Sequence, residues 1–198
     1  SHNPTRTRLE ECLASLENAK HCLVTSSGMA AASLIFQSFP QGTKILCGDD
    51  VYGGTYRILN TIFNDRFELK HVNTTDVDSV EEVLNSFKPN LVWLESPTNP
   101  MLQISDIKAI CKASHALNAK VVVDNTFMSP YFQNPLDLGA DMVLHSLTKY
   151  INGHSDVVGG AIMLSDQTQF DKLWYLQNSM GPSQSPFDSW LVLRGVKT

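Results

Sequence analysis

Lys149 sits in a turn that offers it chemistry: Ser146 and Thr148 precede it at close range, and Gly153, Gly159 and Gly160 follow. The whole stretch, residues 141–160, reads DMVLHSLTKYINGHSDVVGG, an apolar strand-like opening (Met142, Val143, Leu144) that runs into a polar turn at His145. A lysine amine there can condense with an aldehyde cofactor as a Schiff base, while the Ser146 and Thr148 hydroxyls donate hydrogen bonds to the cofactor's phosphate. The glycines let backbone approach such a ligand closely. The same residues also suit a capped turn with a solvated lysine.

A second group capable of chemistry ends a different apolar run. Lys120–Val123 holds three consecutive valines, the pattern of a strand buried on both faces, and Asp124, Asn125, Thr126 and Phe127 follow it. A carboxylate just past the carboxyl end of a central strand lies where open α/β sheets bind ligands; its ordinary alternative is a helix cap or turn residue. Taken with Lys149, an ionised Asp124 would pair with the protonated ring nitrogen of pyridoxal phosphate (PLP) and keep that ring an electron sink. At about 4 Å and an effective dielectric near 20, such a pair interacts by roughly 4 kcal/mol before desolvation.

Three loops add candidates. Ser26-Ser27-Gly28 turns from a strand into a helix, so the Gly28 and Met29 N–H groups point at an anion with the helix dipole behind them. Tyr52, beside Gly53 and Gly54, can lay its ring over a flat cofactor, and Arg57 can reach a substrate carboxylate. Asn99 lies in the rigid Ser96–Pro100 loop, between two prolines, and can offer its amide to a ligand. Each has a plain counterpart: a turn, a tyrosine closing a surface loop beside a solvated arginine, and a turn asparagine before proline.

Positioning these groups takes an alternation of strands and helices. Helical spacing predicts helices over 6–20, 29–39, 55–64, 77–87, 104–117, 166–179 and 187–193. Apolar runs predict strands over 21–25, 44–47, 67–72, 90–95, 120–123, 142–144 and 157–164. That order argues for an α/β fold, a mainly parallel sheet sandwiched by helices. The 198 residues suffice for a substantial core without metals or staples. A formal charge of −5 with 18% charged residues argues against a basic nucleic-acid-binding face. No segment approaches the apolar length that spans a bilayer, and the opening SHNPTRTR is not a signal peptide. The four cysteines lack a CxxC pair, which favours reduced thiols in a cytoplasmic protein over a disulfide framework or a metal site.

Six ordered blocks, NPTRTRLEECLASLE, SSGMAAA, GDDVYGGTYR, ESPTNP, VVVDNTFMSPYF and HSLTKYINGHSDVVGG, together resemble the Cys/Met-metabolism family of PLP-dependent enzymes, nearest to its cystathionine-cleaving, γ-eliminating branch. The resemblance implies the PLP-dependent transferase-like architecture of fold type I, with residues 1–198 forming the PLP-binding large domain. It also implies a fragment, without the family's N-terminal phosphate-contacting segment and C-terminal small domain. Lys149 would be the Schiff-base lysine and Asp124 the partner of the ring nitrogen, with Gly28, Met29, Ser146 and Thr148 on the phosphate. Tyr52 would stack on the ring and assist catalysis, with Thr126 on the opposite side; Arg57 and Asn99 would lie near the substrate. The implied reaction is γ-elimination of cystathionine to cysteine, 2-oxobutyrate and ammonia, in a homotetramer built as a dimer of dimers. A branch performing γ-replacement on an activated homoserine ester shares nearly every block, whereas methionine γ-lyases carry a cysteine where this chain has Gly54. From a different class, the chain could be a non-catalytic partner of full-length subunits.

Overall fold

The computed structural model describes residues 2–198. In chain order the elements are α1 (Pro4–Leu16), β1 (His21–Thr25), α2 (Gly28–Gln37), β2 (Lys44–Gly48), α3 (Gly53–Arg57), a π-helical turn (Ile58–Ile62), β3 (Glu68–Val72), α4 (Val77–Phe87), β4 (Leu91–Glu95), α5 (Ile107–His115), β5 (Lys120–Asp124), α6 (Ser129–Phe132), β6 (Met142–Ser146), β7 (Gly160–Leu164), α7 (Gln167–Met180) and α8 (Pro186–Gly195). Side chains set many of the helix starts. Asn3 takes the Thr5 and Arg6 N–H groups ahead of Pro4, and Asp76, Asp106, Asp166 and Ser185 cap α4, α5, α7 and α8 in the same way.

The chain divides into two compact units. One comprises residues 39–124 and 137–141. Its strands run in the order β5-β4-β2-β3 and all pair in parallel. Strands buried on both faces need apolar residues at every position, and β4 is buried throughout while Val121, Val122 and Val123 of β5 are fully buried. Helix α5 covers β5 and α4 packs on α5 and β3. Asp141 ties the start of β5: it accepts from Lys120 Nζ at 2.7 Å, from His115 Nε2 at 2.9 Å and from the Val121 N–H at 2.8 Å. Burial pushes its carboxyl upward, but the bonds from Lys120, Val121 and His115 outweigh that and hold it below the usual range.

The other unit comprises residues 2–38, 125–136 and 142–198. Here β7 lies between β1 and β6 and runs antiparallel to both. Helices α1 and α7 pack on β1, and α2 packs on β6 and β7. Leu9, Leu13, Val24, Leu147, Met163 and Val192 contribute to one apolar cluster. Close approach explains Gly160: a Cβ there would lie 2.2 Å from the Ser27 carbonyl oxygen.

The expected α/β architecture is present, with differences in detail. The parallel run covers β2 to β5 and β7 reverses direction, because its partners are read from tertiary packing and not from its own composition. The expected 55–64 helix is α3 followed by the π-helical turn, and α6, only four residues long, is too short to leave a periodic pattern. Strand β6 extends to Ser146, so His145 belongs to a buried strand and not to the polar turn. Among the described residues no helix is long and apolar enough to cross a membrane, and the four cysteines form no disulfide.

Candidate active site

In the unit holding β6, the candidates Gly28, Met29, Thr126, Ser146, Thr148 and Lys149 all occur. Ser27 caps α2: its hydroxyl accepts the Ala30 N–H at 3.0 Å and its carbonyl the Ala31 N–H at 3.1 Å. Gly28 and Met29 then present the remaining first-turn N–H groups, with no acidic residue in that turn. A Cβ on Gly28 would meet the Ser146 Cβ at 3.0 Å and its Oγ at 3.2 Å, so the helix start and the end of β6 meet where only glycine fits. The Ser146 N–H donates to Thr126 Oγ1 at 2.9 Å, which fixes the segment after β5 against the end of β6.

The turn after β6 is built from backbone. Lys149 N–H donates to the Ser146 carbonyl at 3.3 Å, and Gly153 N–H to the Lys149 carbonyl at 2.8 Å. Gly153 has φ +71°, a left-handed conformation that costs glycine little. Thr148 and Gly159 exchange two bonds, Gly159 N–H to Oγ1 at 3.1 Å and Oγ1 to the Gly159 carbonyl at 3.4 Å. Thr148 thus secures the glycine return first, and would serve an anion by releasing its longer bond. Among the described residues Lys149 Nζ has no ion-pair partner, and the residue is exposed. An amine so placed is available as a nucleophile or base.

A buried polar group supports this turn from beneath. His145 Nε2 meets Glu17 Oε1 at 2.5 Å, and Asn125 Nδ2 donates to the same oxygen at 2.8 Å. Asn125 also donates to the Gln133 carbonyl at 2.8 Å, and Gln133 Nε2 donates to Asn125 Oδ1 at 2.9 Å. Glu17, His145 and Asn125 are fully buried. Glu17 therefore pins the residue before Ser146 and the residue before Thr126 to one point. Sequence reasoning missed it, because its partners lie far away in the chain and no local spacing links them.

The other unit carries Tyr52, Arg57, Asn99 and Asp124. Tyr52 and Arg57 are exposed; the Arg57 guanidinium lies beside Gly53, where a Cβ would meet its Nη1 at 3.3 Å. Asp124 is 8% exposed at the end of β5, and opposite it in the β4–β5 register stands Glu95, 6% exposed. Glu95 Oε2 accepts the Tyr52 N–H at 2.8 Å and also takes the Asn99 N–H. Burial first, and then the neighbouring Asp124, push the Glu95 carboxyl up to about 8, against the lowering effect of its bond from Tyr52. Asp50 clasps the same two loops, accepting from Thr98 Oγ1 and from the Met101 N–H, the latter at 3.0 Å. Tyr52, Asn99 and Asp124 therefore converge on Glu95, which its apolar run marks only as the end of a strand. The signal that singled out Asp124, an acid ending a buried strand, applies to Glu95 as well. Among the described residues no cluster of three or more His, Cys, Asp or Glu could hold a metal ion.

Comparison with known proteins places this geometry. The family model for the Cys/Met metabolism PLP-dependent enzymes matches residues 1–198. A probable cystathionine γ-synthase of Herpetosiphon aurantiacus is 51% identical over 99% of the chain, and a cystathionine γ-lyase of Dictyostelium discoideum is 50% identical over all of it. The chain covers 61% and 51% of those two proteins. The crystal structure of cystathionine γ-synthase from Xanthomonas oryzae pv. oryzae in complex with cystathionine superposes with a TM-score of 0.96 at 44% identity, covering 100% of this chain and 51% of that one.

Proposed function

Because the chain belongs to the Cys/Met metabolism PLP-dependent enzymes, with the fold of type I that its structural relatives share, we propose that it is the cofactor-binding large domain of a carbon–sulfur lyase that cleaves cystathionine by γ-elimination. The products are cysteine, 2-oxobutyrate and ammonia. The observation that carries this reading is the anion cradle at the start of α2, where the Gly28 and Met29 N–H groups and the Ser146 hydroxyl come together, on the strand whose following turn presents the unpaired Lys149 amine. The donor set fits a phosphate: neutral N–H and O–H groups at a helix start, with no carboxylate in the first turn.

In this reading Gly28, Met29, Ser146 and Thr148 would hold the phosphate, Lys149 would hold the cofactor through Nζ, and Asp124 would pair with the ring nitrogen. Tyr52 would stack on the ring, with Thr126 on its opposite side. When bound, the cofactor supplies an electron sink that makes the α-proton of an amino acid acidic. Lys149 Nζ takes that proton and returns it, a positioned base being worth about 10²–10⁴-fold. Asp124, as an anion, would favour a proton on the ring nitrogen. Tyr52 steers the departing thiol, and Arg57 and Asn99 orient the substrate carboxylate. Among the described residues Nζ has no carboxylate partner that would hold its proton, which supports Lys149 as the base.

A second reading, γ-replacement on an activated homoserine ester, is favoured by the similarity to the Herpetosiphon aurantiacus protein. Both readings take the protein to be a homotetramer assembled as a dimer of dimers in the cytoplasm. Incubation with PLP, borohydride reduction and peptide mass spectrometry tests the site: the adduct is expected on Lys149 alone, and scattered labelling refutes it. Turnover of cystathionine, compared with turnover of an acylated homoserine plus cysteine, then separates elimination from replacement.

A further inference from the structure

Two carboxyl groups at the ends of adjacent parallel strands cannot both be charged cheaply when water is excluded. Glu95 and Asp124 are register partners on β4 and β5, and both are buried. Neighbouring strands lie about 4.8 Å apart, and register partners point to the same face of a sheet. The titratable groups around Glu95 add no positive charge: they are Asp124 from β5, Asp50 from the segment after β2, and the Cys47 thiol of β2. No lysine or arginine pairs with Glu95 among the described residues. What Glu95 does have is backbone: the Tyr52 N–H at 2.8 Å and the Asn99 N–H.

We infer that Glu95 is a positioning residue of the site: its carboxyl anchors the turn that carries Tyr52 and shares a single negative charge with Asp124. At neutral pH the proton resides on Glu95 and the charge on Asp124. The two N–H donors keep the neutral Glu95 carboxyl oriented, and Asp124 stays an anion without a second anion beside it. This deepens the assignment of Asp124 to the cofactor ring nitrogen, on which its catalytic meaning rests. A cation set against Asp124 would strengthen the same division of charge. Above the Glu95 midpoint a second negative charge appears in the pair, and the anchor of the Tyr52 turn becomes a carboxylate.

The pairing is tested without cofactor. Protein labelled with carboxyl-¹³C glutamate and aspartate is titrated by NMR, with Glu95→Gln identifying the Glu95 resonance as the near-isosteric control. The Glu95 carboxyl is expected to titrate with a midpoint of about 8. In Asp124→Asn that midpoint should fall by about one pH unit, because the neighbouring negative charge is gone. The Tyr52 amide resonance should titrate with the same midpoint in the wild-type protein and lose that step in Glu95→Gln. A Glu95 midpoint near the ordinary 4.5, or one unmoved by Asp124→Asn, overturns the proposal. Borohydride labelling of the same samples keeps the two ideas apart. Absent labelling of Lys149 in wild-type protein defeats the cofactor reading, while the titration still decides the carboxyl pair.

Discussion

At the scale of single residues, the amine of Lys149 and the carboxyl of Glu17 differ in how firmly their surroundings fix them. Lys149 is exposed and unpaired, held by the backbone of its turn, so its side chain is a tool and not a strut. Lys149→Ala is therefore expected to abolish turnover and the borohydride adduct while leaving the denaturation midpoint unchanged. Kinetic assay and thermal unfolding of one preparation check both halves. Glu17 is the opposite case. It carries bonds from His145 and Asn125 inside a fully buried cluster, so Glu17→Ala leaves a buried imidazole without its partner and should cost about 3–5 kcal/mol. Urea unfolding measures the loss, and a loss below about 1 kcal/mol, the value of an exposed pair, would contradict the role. Asp124 stands out in the sequence because it ends a recognisable apolar run, and Lys149 because it lies in the polar turn that follows another. Glu95 ends an apolar run in the same way, but the bonds that give it a role come from the Tyr52 and Asn99 backbone, which no local spacing in the sequence links to it.

At the scale of elements, most strands were legible because short apolar runs end in glycine, proline or acid: β2, β4 and β5 end at Gly48, Glu95 and Asp124, within a residue of their expected bounds. The direction of β7 was not, since a strand's own residues do not say which neighbours it will meet. Asp141, between the two units' strands in sequence, shows how an element's end is secured. Its folded pKa is depressed below the ordinary 3.8, so its contribution is present at neutral pH, where it is ionised in both states, and is lost as pH falls through the folded value. Asp141→Asn should destabilise the protein by about 1–2 kcal/mol at pH 7, with exposure of Lys120 and His115 limiting the figure. The difference from wild type should shrink toward zero as pH falls through the depressed folded value. Urea unfolding across that range gives the profile, and a pH-independent difference would contradict the ionic role.

At the scale of the whole molecule, aromatic side chains that ought to be covered are not. Tyr131 is 85% and Phe132 73% exposed, edge to face with each other on α6, and Phe187 and Trp190 are exposed on α8. Exposed aromatics of this size mark surfaces that bury on association, which supports the proposed tetramer. Sedimentation velocity should give a mass about four times that of the 22.0 kDa chain, and a monomer at all concentrations would rule it out. The threading of the chain has a consequence of another kind, for the molecule as it is being made. Strand β1 pairs with β7, which is synthesised only after the whole of residues 39–124. At ~5–20 residues per second, His21–Thr25 leaves the ribosome on the order of ten seconds before its partner exists. The parallel strands β2 to β5 emerge in that interval as a nearly continuous piece. On the growing chain, β1 therefore waits for a partner made long after it.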